Sequence, residues 1–150
     1  MLTKDEWKKV EVRLSHPYGR VELAADGHRL TCEVRPYKGL RFCIVVFIDG
    51  VIDGKWMNDP APPARKFWRE RKQYLYSAAK RAEARAQAKK RGMPADVREF
   101  WTGVAEAFFV MFVPNWPSAK GLCRHLRKVC DEVSLAEPAP ARIEETTPCE

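Results

Sequence analysis

Apolar residues recur along this chain with two different periods, and the changes of period divide it into elements. Over 4–14, Trp7, Val10 and Leu14 fall at helical spacing, and Thr3 with Glu6 makes a capping-box pair ahead of them. The spacing predicts a first helix; Val10, Val12 and Leu14 also alternate, so a strand is the rival reading. His16-Pro17-Tyr18-Gly19 then breaks the chain. From 20 to 56 the period falls to two. Val21, Leu23 and Ala25 alternate with polar neighbours, Asp26-Gly27 is a turn pair, and Leu30, Cys32 and Val34 alternate after it. Residues 36–39 supply a second turn, and 40–48 (LRFCIVVFI) is apolar enough for a central strand. Asp49-Gly50 gives a third turn, and 51–56 a short edge strand. The pattern predicts an antiparallel meander of three to four strands.

Past a Pro-rich linker at 57–63 the period returns to 3.6. Residues 64–91 (ARKFWRERKQYLYSAAKRAEARAQAKKR) consist largely of strong helix formers. Pro62 and Pro63 precede them, Asn58 or Asp59 is placed to cap the start, and Gly92 and Pro94 follow the end. One continuous helix of roughly 40 Å is expected. Its apolar arc holds Phe67, Trp68, Tyr74 and Leu75, then only alanines. A second helix is expected over 94–113, with Phe100, Trp101, Val104 and Phe108 at helical spacing and 107–113 apolar all round. A third is expected over 117–133. The fold class is therefore α+β, with 1–135 as a single globular domain and 136–150 as an acidic, disordered tail: 131–150 holds six acids and one Arg142.

Charge changes the picture at one place. The segment 64–91 carries eleven Lys or Arg against Glu70 and Glu83, a local +9 in a chain of net +7. A solvated helix face is the ordinary home of such residues, but eleven against two is self-repelling, and basic stripes mark electrostatic footprints. Arg65, Lys66, Arg69, Lys72, Lys80, Lys90 and Arg91 are the candidate phosphate contacts, with Tyr76 or Trp68 offering a ring for stacking. Lys120, Arg124, Arg127 and Lys128 form a second, smaller basic face on the last helix. A first helix, an antiparallel sheet and a basic helix in that order resemble the double-stranded-RNA-binding domain in architecture alone. Where that family has a glycine-rich turn, this chain has Asp59-Pro60-Ala61-Pro62-Pro63, and no residue role is carried over.

Other chemistry is sparse. The five cysteines form no Cys-x-x-Cys pair, so metal and cofactors are expected to be absent; Cys32 and Cys43 read as small core residues. The chain starts without an apolar leader and lacks a long apolar run, so reduced thiols in a cytoplasmic protein, with no membrane contact, are expected. Asp26, His28, Asp49 and Asp53 gather near turns, where Asp-Gly is turn chemistry before it is catalysis. Three functions follow in order. The first is a non-enzymatic protein binding nucleic acid or a nucleic-acid-handling complex through the basic segment. The second is an inhibitor or adaptor on an acidic protein surface, in the manner of bacteriophage anti-defence (anti-CRISPR) proteins. The third is a small enzyme using the turn Asp and His residues.

Overall fold

The computed structural model describes residues 1–137 and is α+β, with five helices, a five-stranded antiparallel sheet and a two-stranded sheet among them. The acidic tail expected over 136–150 lies, from 138 onward, outside the described residues. The chain forms two compact units, one from 1–52 with the segment returning from 114, the other from 53–113.

In the first unit, α1 (Lys4–Leu14) starts at the expected capping box: Glu6 N–H donates to Thr3 Oγ1 at 3.2 Å, and Thr3 N–H to Glu6 Oε2 at 2.7 Å. The meander is β1 (Arg20–Ala25), β2 (His28–Lys38) and β3 (Arg41–Ile48). Asp26 and Gly27, at φ 46° and 83°, make the left-handed tight turn that Asp-Gly predicts. Strand β2 runs past Pro36 through a bulge, so the expected turn over 36–39 shrinks to its last residue, Gly39, with Leu40. Register sets Val21, Leu23 and Ala25 on the same face as Leu30, Cys32, Val34, Ile44, Val46 and Ile48; all are buried, as are Trp7, Val10 and Leu14 of α1. Cys43 corrects the sequence reading: it pairs with Arg35 on the opposite face and is only half-buried.

The expected edge strand over 51–56 does not form. A lone bridge, Ile48 to Val51, is all that pairs there, and a 3-10 turn (Gly54–Met57) follows in the second unit. The edges of the large sheet are instead closed by the returning segment. Strand β6 (Asn115–Trp116) pairs with β3 and β7 (Val133–Leu135) with β1, giving the order β6-β3-β2-β1-β7. Helix α5 (Ala119–Val129) lies between them in the chain, its first turn capped by the Ser118 hydroxyl. The helix expected over 117–133 is thus shorter at both ends, because its last residues extend to pair with β1.

The second unit overturns the single long helix. Residues 64–91 divide into α2 (Pro62–Phe67), β4 (Arg69–Tyr74) and α3 (Ala78–Ala88). Helix propensity loses to pairing here: β4 forms an unbroken antiparallel ladder with β5 (Phe108–Val113), from Arg69 opposite Val113 to Tyr74 opposite Phe108. The helix expected over 94–113 accordingly stops as α4 (Ala95–Glu106). Its all-round apolar end is a strand, the commoner home of an apolar run of six. Ser77 restarts the helix by accepting the Lys80 N–H at 3.3 Å, and Gly92 takes the left-handed φ of 75° after α3. Neither Asn58 nor Asp59 caps α2; its N-cap is Ala61, with Pro62 as the first helical residue. The unit is therefore a two-stranded ribbon whose strands are joined by the hairpin of α3 and α4.

Candidate nucleic-acid interface

Charge divides unevenly between the units. Residues 53–113 hold thirteen Lys and Arg against seven Asp and Glu, so +6 of the chain's +7 lies in this unit and the remainder of the chain carries +1. In the first unit Arg20, Arg29 and Arg35 of the sheet are answered by carboxylates, while its lysines make no ion pair among the described residues. Glu22, buried on β1, accepts from Arg20 at 2.7 Å and from Arg29 Nε at 2.8 Å; Glu33 accepts from Arg35 at 2.6 Å and stands 3.5 Å from Arg20. In the second unit, Arg71, Lys80, Arg85, Lys89, Lys90 and Arg91 make no ion pair among the described residues, and all six are exposed.

Two cations of this unit rest on rings of the ribbon instead. Lys72 Nζ sits 3.9 Å from the Phe108 ring centroid and 5.2 Å from that of Tyr74. The Arg81 guanidinium, from α3, stacks 3.9 Å over Tyr74, whose ring meets Phe108 edge-on at 6.4 Å. The register explains this grouping: Tyr74 and Phe108 face each other across the ladder, with Lys72 and Val110 the next pair on the same face. Cation–π contact holds these heads in place yet leaves their charge uncancelled.

The expected contact residues therefore do not share one helix face. Arg65 and Lys66 lie on α2, where Arg65 Nε donates to the Pro60 carbonyl at 3.2 Å and Lys66 is engaged within the chain. Arg69 and Lys72 lie on β4, Arg69 also engaged; Tyr76 is exposed just before α3, Lys80 is in α3, and Lys90 and Arg91 follow it. Lys120, Arg124, Arg127 and Lys128 are exposed on α5 in the first unit. Of these, Arg127 is already answered, with its guanidinium 5.0 Å over the Trp7 ring and 3.9 Å from Glu11. Sequence reasoning missed Arg71, Arg81, Arg85 and Lys89. Only the alternation of RERKQY could have found Arg71, since it places Arg69, Arg71 and Gln73 on one side of a strand.

The turn residues weighed for catalysis serve the backbone. The Asp26 carboxylate accepts the N–H groups of Asp131 and Glu132, at 3.1 and 2.8 Å. Asp53 caps the 3-10 turn by accepting the Lys55 N–H. Asp49 lies 2.9 Å from His28 Nδ1 and accepts the Arg29 N–H at 2.9 Å; these hydrogen bonds, His28's first, hold its carboxyl below the usual range. Burial pushes the Cys32 and Cys123 thiols up to about 12, which leaves them protonated and inert at neutral pH. Among the described residues no group of three or more His, Cys, Asp or Glu is placed to hold a metal ion, and no helix is long and apolar enough to cross a membrane. Compared with protein-family models, with curated proteins and with solved structures, the chain matches none of them.

Proposed function

We propose that this is a non-enzymatic nucleic-acid-binding protein whose contact surface is the second unit. The observation that carries this reading is the run of exposed cations from Arg71 to Arg91 that no described carboxylate answers. Folding such a cluster costs self-repulsion, and a polyphosphate relieves it by supplying the missing negative charge and releasing its own counterions. Tyr74 and Phe108, held among Lys72 and Arg81, add ring surface beside the charge. The test is fluorescence anisotropy of the full chain with a labelled duplex across a salt series. Five to seven phosphate contacts give a log–log slope of roughly −4 to −6; no affinity for DNA or RNA at low salt, or affinity indifferent to salt, defeats the reading.

A second reading, an inhibitor or adaptor docked on an acidic protein surface, draws on the same cations. It is favoured by Tyr76 and Phe100, which line one depression of about 450 Å³ in the second unit, Phe100 being 62% exposed. Exposed aromatic anchors of this kind are what a protein partner uses. Nuclease treatment separates the two: complexes that survive it are protein complexes, and complexes that vanish were held by nucleic acid.

A further inference from the structure

We infer that β5 is a self-association edge, and that residues 108–110 pair antiparallel with the same residues of a second copy to join two ribbons into one four-stranded sheet. The first ground is composition. FFVMFV has no charge and no alternation, so both of its faces are apolar, as in a strand that lies centrally in a sheet with cover on each side. Among the described residues it has one neighbouring strand, and Phe108, Phe109 and Val110 are 47%, 41% and 39% exposed. Its neighbour β4 (RERKQY) is the opposite kind of strand. Lys and Arg are the residues that blunt a sheet edge against further pairing.

Those two strand types select the partner. A second copy added at β5 gives the order β4-β5-β5-β4, with apolar strands inside, basic strands outside, and no edge left to propagate. Pairing through β4 would set Arg71 and Lys72 against their own copies and is repelled. An isologous twofold contact of this kind closes as a dimer.

The backbone is poised for it. Leu75 N–H donates to the Ala107 carbonyl at 3.0 Å, which makes that pair, and every second pair after it, the hydrogen-bonded ones. Phe109 and Met111 therefore bond to β4, while the N–H and C=O groups of Phe108 and Val110 point to the free edge. At the other end of β5, Val113 is buried and the 3-10 turn Gly54–Met57 packs against the strand, so pairing is confined to the exposed end. A twofold axis at Phe109 then sets Phe108 opposite Val110 of the second copy, with about four new backbone hydrogen bonds.

The test is sedimentation velocity of the full chain over a concentration series, with two variants. Wild type is expected to approach twice its 17.3 kDa. Val110→Pro removes an outward N–H that the ribbon does not use, so it should sediment as a monomer with an unchanged far-ultraviolet spectrum. Under mild oxidation Phe109→Cys should give a covalent dimer well above the wild-type background, because facing residues at the axis bring their Cβ atoms within reach. Gln73→Cys, on the far strand, should not. The inference is overturned by a wild type that stays monomeric at every concentration, or by a dimer that Val110→Pro leaves intact. If Val110→Pro unfolds the ribbon, the cysteine pair decides: equal cross-linking of Phe109→Cys and Gln73→Cys overturns it as well.

Discussion

Glu22 in the first unit lies 5% exposed beneath two guanidinium groups, while Glu70 and Glu83 in the second lie in open solvent and pair with no described cation. The first unit closes Leu23, Leu30, Val46, Ile48, Leu122 and Leu126 almost wholly from water; the second leaves Leu75, Phe100, Phe108 and Phe109 exposed. The apolar residues divide less cleanly, since the first unit also leaves Tyr18, Tyr37 and Leu40 exposed and the second buries Phe67 and Trp68. The two units differ chiefly in charge, +1 for the first and +6 for the second. The chain's net charge hides this, because it averages a balanced body with an unbalanced one.

Deleting charge is the most forceful way to test the contrast. Converting Lys89, Lys90 and Arg91 to Glu should lower nucleic-acid affinity by about a hundredfold or more at low salt, and flatten the salt slope by about 3. The matching change on α5, of Lys120, Arg124 and Lys128, should cost far less, and anisotropy under the same buffer compares them. If the α5 variant loses more, the assignment to the second unit fails.

Packing gives the next largest effect. Leu122→Ala, at a fully buried position of α5, should lose about 2–5 kcal/mol in denaturant unfolding. Ala84→Gly, at the buried position of α3, should lose about 1–2 kcal/mol, the helix-propensity cost plus the packing of one methyl group. A larger loss at Ala84 would mean that the second unit's packing governs stability.

Carboxylates should behave in opposite ways in the two units. Glu22→Ala strips the acceptor from two half-exposed arginines and should cost about 1–3 kcal/mol. Glu83→Ala should stay within about 0.5 kcal/mol in stability and slightly raise affinity for nucleic acid. Thermal melts and anisotropy on both variants check this, and equal destabilisation would erase the distinction.

The smallest effect is at Asp49. Its folded pKa lies below the ordinary value, so its contribution to stability is complete above the unfolded carboxylate pKa and is lost as pH falls through the folded one. Asp49→Asn should remove that contribution, so the variant is slightly less stable than wild type at neutral pH and the two converge as pH falls. Melts from pH 7 downward that superimpose for the two proteins would show that the His28 pairing carries no stability.

Where the sequence could be read, a local signal and the long-range outcome agreed. Thr3 and Glu6 cap α1, and Asp26-Gly27 turns β1 into β2, because those preferences are settled within four residues. Residues 69–74 could not be read that way. Arg, Glu, Lys and Gln favour a helix, and what makes them a strand is FFVMFV, which arrives only at 108. Ser77, the cap that begins α3, was the one local hint of a break. Strands β6 and β7 were equally illegible, being two and three residues long and defined only by their partners. The basic character of the site was plain in composition; its division among a helix, a strand and a second helix was not.

The central claim is that uncompensated cations of the second unit take up a polyanion, and an amide NMR titration of the full chain with a short oligonucleotide tests it most directly. Shifts and broadening concentrated from 69 to 91, fading as salt is added, are the predicted result. Perturbations centred on 120–128 of α5, or none anywhere at low salt, would contradict it.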